Sequence, residues 1–209
     1  MKKLIFAFLA LAFLLPDIAI AKKTPLEKAR EKAYKEKIKE YKKDGWKPLG
    51  SKTLDLILLE HYDKLAQLGS NGHEVEGIST RSKSLNTGKQ MATNNAVIQY
   101  GQEAGSTLQG RVVSDMSANG VYTEGEFENF FAAYERLVEK EIRGEMLPSY
   151  TIMKDNGDGT YEIRTYFIVE ESQAQKARLR ALEEALKNSQ VAADHANKIS
   201  DFVRQGLDE

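Results

Sequence analysis

The sequence predicts a single α+β domain: a small antiparallel or mixed sheet with a late β-hairpin, packed by several helices and closed by a long C-terminal helix. Three observations predict it. Residues 147–169 read LPSYTIMK, then DNGDGT, then YEIRTYFIV, two alternating runs around a turn cluster. Apolar residues recur at helical spacing in several other stretches. No fixed-period repeat, low-complexity tract or linker divides the 209 residues, a length at which one domain buries a real core.

The chain opens with Met1-Lys2-Lys3, then an apolar run from Leu4 to Leu15, then Pro16-Asp17 and the small residues of Ala19-Ile20-Ala21. A positive end, an apolar core and an A-x-A site in that order form a cleavable export signal over residues 1–21. The run is too short for a spanning helix, which needs about 20 apolar residues.

Thr24-Pro25-Leu26-Glu27 then starts a helix: Thr24 caps, Pro25 suits the first turn, and Glu27 closes a capping box. Asp44-Gly45 ends it. Residues 22–43 carry ten Lys or Arg and four Glu, so 22–45 is a basic N-terminal helix ahead of a globular region at 46–209. Trp46 to Leu49 is a short extended entry, with Pro48 favouring a sheet edge. Ser51 or Thr53 caps a second helix, in which Leu54, Ile57, Leu58, His61, Leu65 and Leu68 share a face. Gly69 to Gly72 stop it, and Val75 to Ser82 read as a strand.

Asn86 to Ala104 read as a third helix, rich in small residues that suit close packing, with Gly105 as its stop. Leu108 to Met116 read as a strand, Ser117 to Gly120 as a turn, and Glu124 to Arg143 as a fourth helix capped by Thr123. Its Phe127, Phe130, Phe131, Tyr134, Leu137, Val138 and Ile142 form a broad apolar face. In the hairpin's second arm, Tyr161, Ile163, Thr165, Phe167 and Val169 share one face. A last helix spans 172–205. Helices mixed with a hairpin-closed sheet place the helices against one face of that sheet.

Composition narrows the function. The formal net charge is −1, which argues against nucleic-acid binding. There is no cysteine, which removes disulfides, thiol catalysis, thiolate metal sites and iron–sulfur clusters. Asp155 to Thr160 tempts a calcium reading. If Gly159 is the EF-hand glycine, however, the first ligand falls on Lys154 and the last on Thr165, and neither serves. A hairpin turn with positive φ at Asn, Asp and Gly accounts for the stretch.

His61, His73 and His195 lie far apart and fit no metal spacing; His61 reads as a partly buried helix residue and the others as surface groups. No nucleophile elbow, S-x-x-K or phosphate loop occurs. No catalytic residue, cofactor site or metal site is therefore expected from motifs. The surface candidate is the basic helix, whose Lys28, Lys32, Lys35 and Lys39 suit an acidic partner, an anionic lipid or a cell-wall polymer. A solvated, salt-bridged helix face is the plainer reading of the same residues.

Three stretches carry a family resemblance. They are Gly88-Lys-Gln-Met-Ala-Thr-Asn-Asn-Ala-Val-Ile-Gln-Tyr100, Gly105-Ser-Thr-Leu-Gln-Gly-Arg-Val-Val-Ser-Asp115, and the hairpin's Gly157-Asp-Gly-Thr-Tyr161. With the opening Thr24-Pro-Leu-Glu-Lys-Ala29 and Gly45-Trp-Lys47, they resemble the lipoprotein-20-type family of bacterial envelope proteins. They are closer still to small exported proteins of unknown function in Bacteroidota. The resemblance implies an envelope protein but brings no catalytic residue, and this chain lacks the family's lipid-anchoring cysteine.

The expectation is an exported, non-catalytic envelope protein, periplasmic or secreted, that binds an envelope protein or polymer or serves a structural role. One alternative is a surface binder using the basic helix. The other is a hydrolase assembled from scattered residues, which requires a histidine beside an acid and a hydroxyl in a concave pocket.

Overall fold

The computed structural model describes residues 24–118, 125 and 127–207. The export signal at 1–21, the Thr123 cap, and Asn119 and Gly120 of the expected turn lie outside them; the turn's Ser117 and Ala118 are the last residues of a helix. Among the described residues the order is α1 (Pro25–Lys43), β1 (Lys47–Pro48), α2 (Leu54–Leu68), β2 (Gly72–Ser82), α3 (Leu85–Ala118), α4 (Glu128–Ile142), β3 (Met146–Asp155), β4 (Tyr161–Glu170), α5 (Glu171–Leu186), α6 (Gln190–Asp194) and α7 (Ala196–Arg204). This is the α+β fold with a late hairpin that the sequence predicts.

The helix starts obey their caps. The Thr24 hydroxyl accepts from the Glu27 N–H at 3.2 Å, while the Glu27 carboxylate accepts from the Thr24 N–H at 2.6 Å. Together these satisfy two N–H groups that the first turn of α1 leaves open. Thr53 caps α2 through the Leu56 N–H. Between β3 and β4, both glycines of Asn156-Gly-Asp-Gly adopt positive φ, near 79°, while Asn156 and Asp158 do not. Asp158 instead accepts from the Thr160 N–H, and Asp155 from the Gly157 N–H, so the carboxylates are spent on the turn.

The four strands pair antiparallel throughout, in the order β1-β3-β4-β2. Helices cover both faces of the sheet, not one as the sequence suggested. Phe167 and Val169 of β4 enter the larger core, which α3, α4, α5 and α7 complete, and Ile163 of the same strand packs toward Gly88 of α3. Tyr166 of β4, with Tyr150 and Ile152 of β3, faces a smaller core closed by Ile38 and Tyr41 of α1, Trp46, and Leu54 and Leu58 of α2.

Contact between α3 and the sheet is close because of glycine. A Cβ on Gly77 of β2 would stand 1.9 Å from the Ala92 carbonyl oxygen and 2.8 Å from Ala96 Cβ. Farther along, α3 leaves the sheet for the other helices, and a Cβ on Gly101 would meet the α4 side chain of Glu139 at 2.4 Å.

Two expectations are corrected. The predicted strand at Leu108–Met116 belongs to α3, which runs through Gly105 without a stop. Its buried residues Gly88, Ala92, Ala96, Tyr100, Ala104, Leu108, Val112 and Met116 form an unbroken i, i+4 series. At about 100° per residue, each step of four turns the stripe by about 40°. The buried face therefore rotates from the sheet toward α4 and α7 along the helix.

The single helix predicted over 172–205 is three helices, α5 to α7. Asn188-Ser189 breaks it: the Asn188 amide donates to the Glu184 carbonyl, and the Ser189 hydroxyl starts α6 by accepting from the Ala192 N–H. The fold-back lets Ile199 and Val203 of α7 enter the larger core. Arg111 of α3 then donates to the Phe202 and Gly206 carbonyls at the end of α7.

Candidate functional site

Strand β1 pairs with β3 only at Met153 and Ile152, and the Leu49 N–H continues to the Thr151 carbonyl. Toward Met146 the outer edge of β3 has no strand beside it among the described residues. Such an edge is a template for unwanted pairing. Here Pro148, which has no N–H, and a β-bulge blunt it. Pro148 pairs with Phe167 and Tyr150 with Tyr166, leaving Ser149 as the extra residue.

A groove of about 410 Å³ runs along this edge. Its walls are the 48–52 segment, Ile57 and Glu60 of α2, and Lys89 and Thr93 of α3; its floor includes Ser149, Tyr150 and Phe167. Lys52 is held by Glu60 at 2.6 Å. The lining thus mixes hydroxyls, aromatic surface and two ammonium groups, one of them paired with the Glu60 carboxylate.

The bulge determines what Ser149 touches. Two residues in succession, Ser149 and Tyr150, point to the side where α2 lies. Ser149 Oγ is 2.8 Å from His61 Nδ1, and the Tyr150 ring meets the His61 ring edge-on at 5.0 Å. On the imidazole's far side, Glu74 Oε2 of β2 lies 2.5 Å from Nε2. The carboxylate is close to Nε2 but out of line for a hydrogen bond, and the contact is an ion pair only where the imidazole is protonated. A hydroxyl and a carboxylate from two further elements therefore flank one imidazole, with the hydroxyl exposed toward the groove.

His61 itself is 1% exposed, so it is fully buried and not partly buried as its sequence position suggested. His73 and His195 are half-buried rather than surface groups. The rings of Tyr62, Tyr150 and Tyr166 surround His61. The Tyr41 hydroxyl donates to the Tyr166 hydroxyl at 2.8 Å, which in turn donates to Glu76 at 2.6 Å. Burial pushes the Tyr150 and Tyr166 hydroxyls well above the usual tyrosine range, and hydrogen bonding to Tyr41 and Glu76 adds to it. Both remain neutral phenols around the imidazole.

The four lysines expected to form a contact surface do share one exposed face of α1, with Glu31 and Glu36 between them. Lys35 pairs with Glu31 at 2.8 Å and Lys32 with Glu36 at 3.9 Å. About half of that face's positive charge is compensated within the helix.

Among the described residues, no group of three or more His, Asp or Glu is placed to hold a metal ion. Nor is any helix there long and apolar enough to cross a membrane. The chain matches no protein-family model, and no curated protein or solved structure is significantly similar to it.

Proposed function

We propose that this protein is an exported binding module of the bacterial cell envelope, periplasmic or secreted, and that its ligand seat is the groove along the β3 edge. The groove carries the reading: its volume lies in the range of small-ligand sites, and hydroxyls, lysines and aromatic surface converge on it. That lining suits a polar ligand rich in hydroxyl and carboxylate groups, as envelope polymers are. The order of charge, apolar run and small residues over 1–21 supports export. The resemblance to lipoprotein-20-type envelope proteins supports the same compartment.

Expression of the full chain in its own host tests export, with a mature form beginning at Lys22 in the periplasmic or culture fraction as the expected result. Co-sedimentation of that form with purified cell-wall polymer tests the seat. Thr93→Trp, which fills the groove, is expected to lower binding at least about tenfold, about 1.4 kcal/mol. Unchanged binding by that variant refutes the seat.

A second reading places binding on α1, because Lys28, Lys32, Lys35 and Lys39 share one exposed face. Reversing Lys28 and Lys39 to Glu then abolishes binding to anionic polymer or vesicles, while Thr93→Trp leaves it intact.

A further inference from the structure

The groove's one hydroxyl that is backed by an imidazole is Ser149, and its surroundings go beyond what holding a ligand requires. We propose that Ser149 is a nucleophile, and that Ser149, His61 and Glu74 form an acyl-transfer site acting on short-chain O-acyl esters presented in the groove. This rests on the groove being the ligand seat.

Three observations carry it. Ser149 Oγ and His61 Nδ1 are 2.8 Å apart, within reach for a nucleophile and its general base. Glu74 Oε2 is 2.5 Å from Nε2, so its charge favours the proton on that nitrogen and leaves Nδ1 free to accept from the serine. The β-bulge at Ser149 breaks the register where the hydroxyl must turn to meet His61, and bulges recur where a side chain is re-aimed at a site. A buried histidine needing only a hydrogen-bond partner requires neither an exposed serine nor a groove in front of it.

The step balances with water as the only co-reactant. Ser149 Oγ bonds to the ester's acyl carbon as its proton passes to His61 Nδ1. The imidazolium formed is stabilised by Glu74. The carbon–oxygen bond to the alcohol breaks, and the proton on Nδ1 leaves with that alcohol. Water then attacks the acyl-serine through the same base, releasing the carboxylic acid and restoring the serine. Glu74 is a positioning residue; its side chain is 40% exposed, so its hold on the ring is weaker than that of a buried acid. The groove's volume, about 410 Å³, favours a short acyl group.

The test is covalent labelling of the full exported protein with a fluorophosphonate probe, read by peptide mass spectrometry, beside hydrolysis of p-nitrophenyl acetate. The expected result is a single adduct on Ser149, lost with hydrolysis in Ser149→Ala. Glu74→Gln is expected to slow labelling about tenfold to a hundredfold and to change its pH profile, with the melting temperature unchanged. Absence of an adduct on Ser149 in the folded wild-type protein overturns the proposal, as does a Glu74→Gln profile identical to wild type. If polymer binding persists without labelling, the ligand seat stands and the nucleophile falls. If labelling occurs without polymer binding, the nucleophile stands and the polymer reading falls.

Discussion

Replacing Gly77 with alanine tests the packing that sets the groove's α3 wall. The added Cβ would stand 1.9 Å from the Ala92 carbonyl oxygen, 2.8 Å from the Ala96 nitrogen and 2.8 Å from Ala96 Cβ. Two of these are backbone atoms inside a helix and have no rotamer to give. The strand and the helix must therefore separate. Overpacking of this kind costs about 1–3 kcal/mol or more, and a clash with helical backbone belongs at the upper end. For a chain of this size about 3 kcal/mol lowers the melting temperature by about 6–12 °C. Gly110 is the internal control: it lies within α3, and a Cβ there meets nothing within 4 Å. Alanine at Gly110 is expected to stabilise by about 0.5–1 kcal/mol, since glycine weakens a helix interior. Thermal unfolding by circular dichroism reads both. Lys89 and Thr93 ride on the same helix, so polymer binding by Gly77→Ala should weaken as well. A Gly77→Ala protein melting within about 2 °C of wild type would falsify the close approach.

Arg178 is 1% exposed, ion-paired with Glu171 and hydrogen-bonded to the Tyr100 hydroxyl at 2.5 Å. Arg178→Met removes one member of this buried network and should cost about 3 kcal/mol by denaturant unfolding; a loss under about 1 kcal/mol counts against the network as a support. Burial also holds tyrosine hydroxyls up: Tyr100 to about 12, and Tyr62, Tyr134, Tyr150 and Tyr166 above the usual value. A raised folded-state value means that this stability is complete below about pH 10 and is lost as pH rises through the folded values. Ultraviolet titration should show the buried phenols of Tyr100, Tyr134, Tyr150 and Tyr166 ionising only as the fold opens, and the half-buried Tyr62 above the usual value. If all nine tyrosines of the chain ionise together near pH 10 with circular dichroism unchanged, their burial is refuted.

Local rules were legible in the sequence wherever one residue settles one bond. Thr24 with Glu27, Thr53, and the glycines of the 155–160 turn each announce a cap or a positive φ, and the structure honours them. The error at 108–116 has a physical source. Val112-Val113 favours strand locally and Gly105 favours a stop, yet both are outweighed by burial of the i, i+4 series from Gly88 to Met116. That series was present in the sequence; it looked weak because glycine and alanine supply half of it. The break at Asn188-Ser189 was equally visible as turn chemistry, but the alanine stripe ran on through it. Which sheet face each helix covers was not legible, since that depends on the order β1-β3-β4-β2 and not on any periodicity.

The Ser149–His61–Glu74 cluster was hidden for a different reason. Its members are separated by 88 residues between His61 and Ser149, and they belong to a helix and two non-adjacent strands. Alternation alone assigns Ser149 and Tyr150 to opposite faces of β3, so a reading by period 2 places at most one of them against α2. The bulge removes that restriction by inserting one residue, and both side chains then reach the same imidazole. The sequence signal for this is Pro148. A proline within a strand demands an edge or an irregularity, and here it coincides with both. Edge protection and site formation are thus one local event. Where β3 gives up regular pairing to keep other strands away, it turns a hydroxyl toward the buried histidine and leaves that hydroxyl open to the groove.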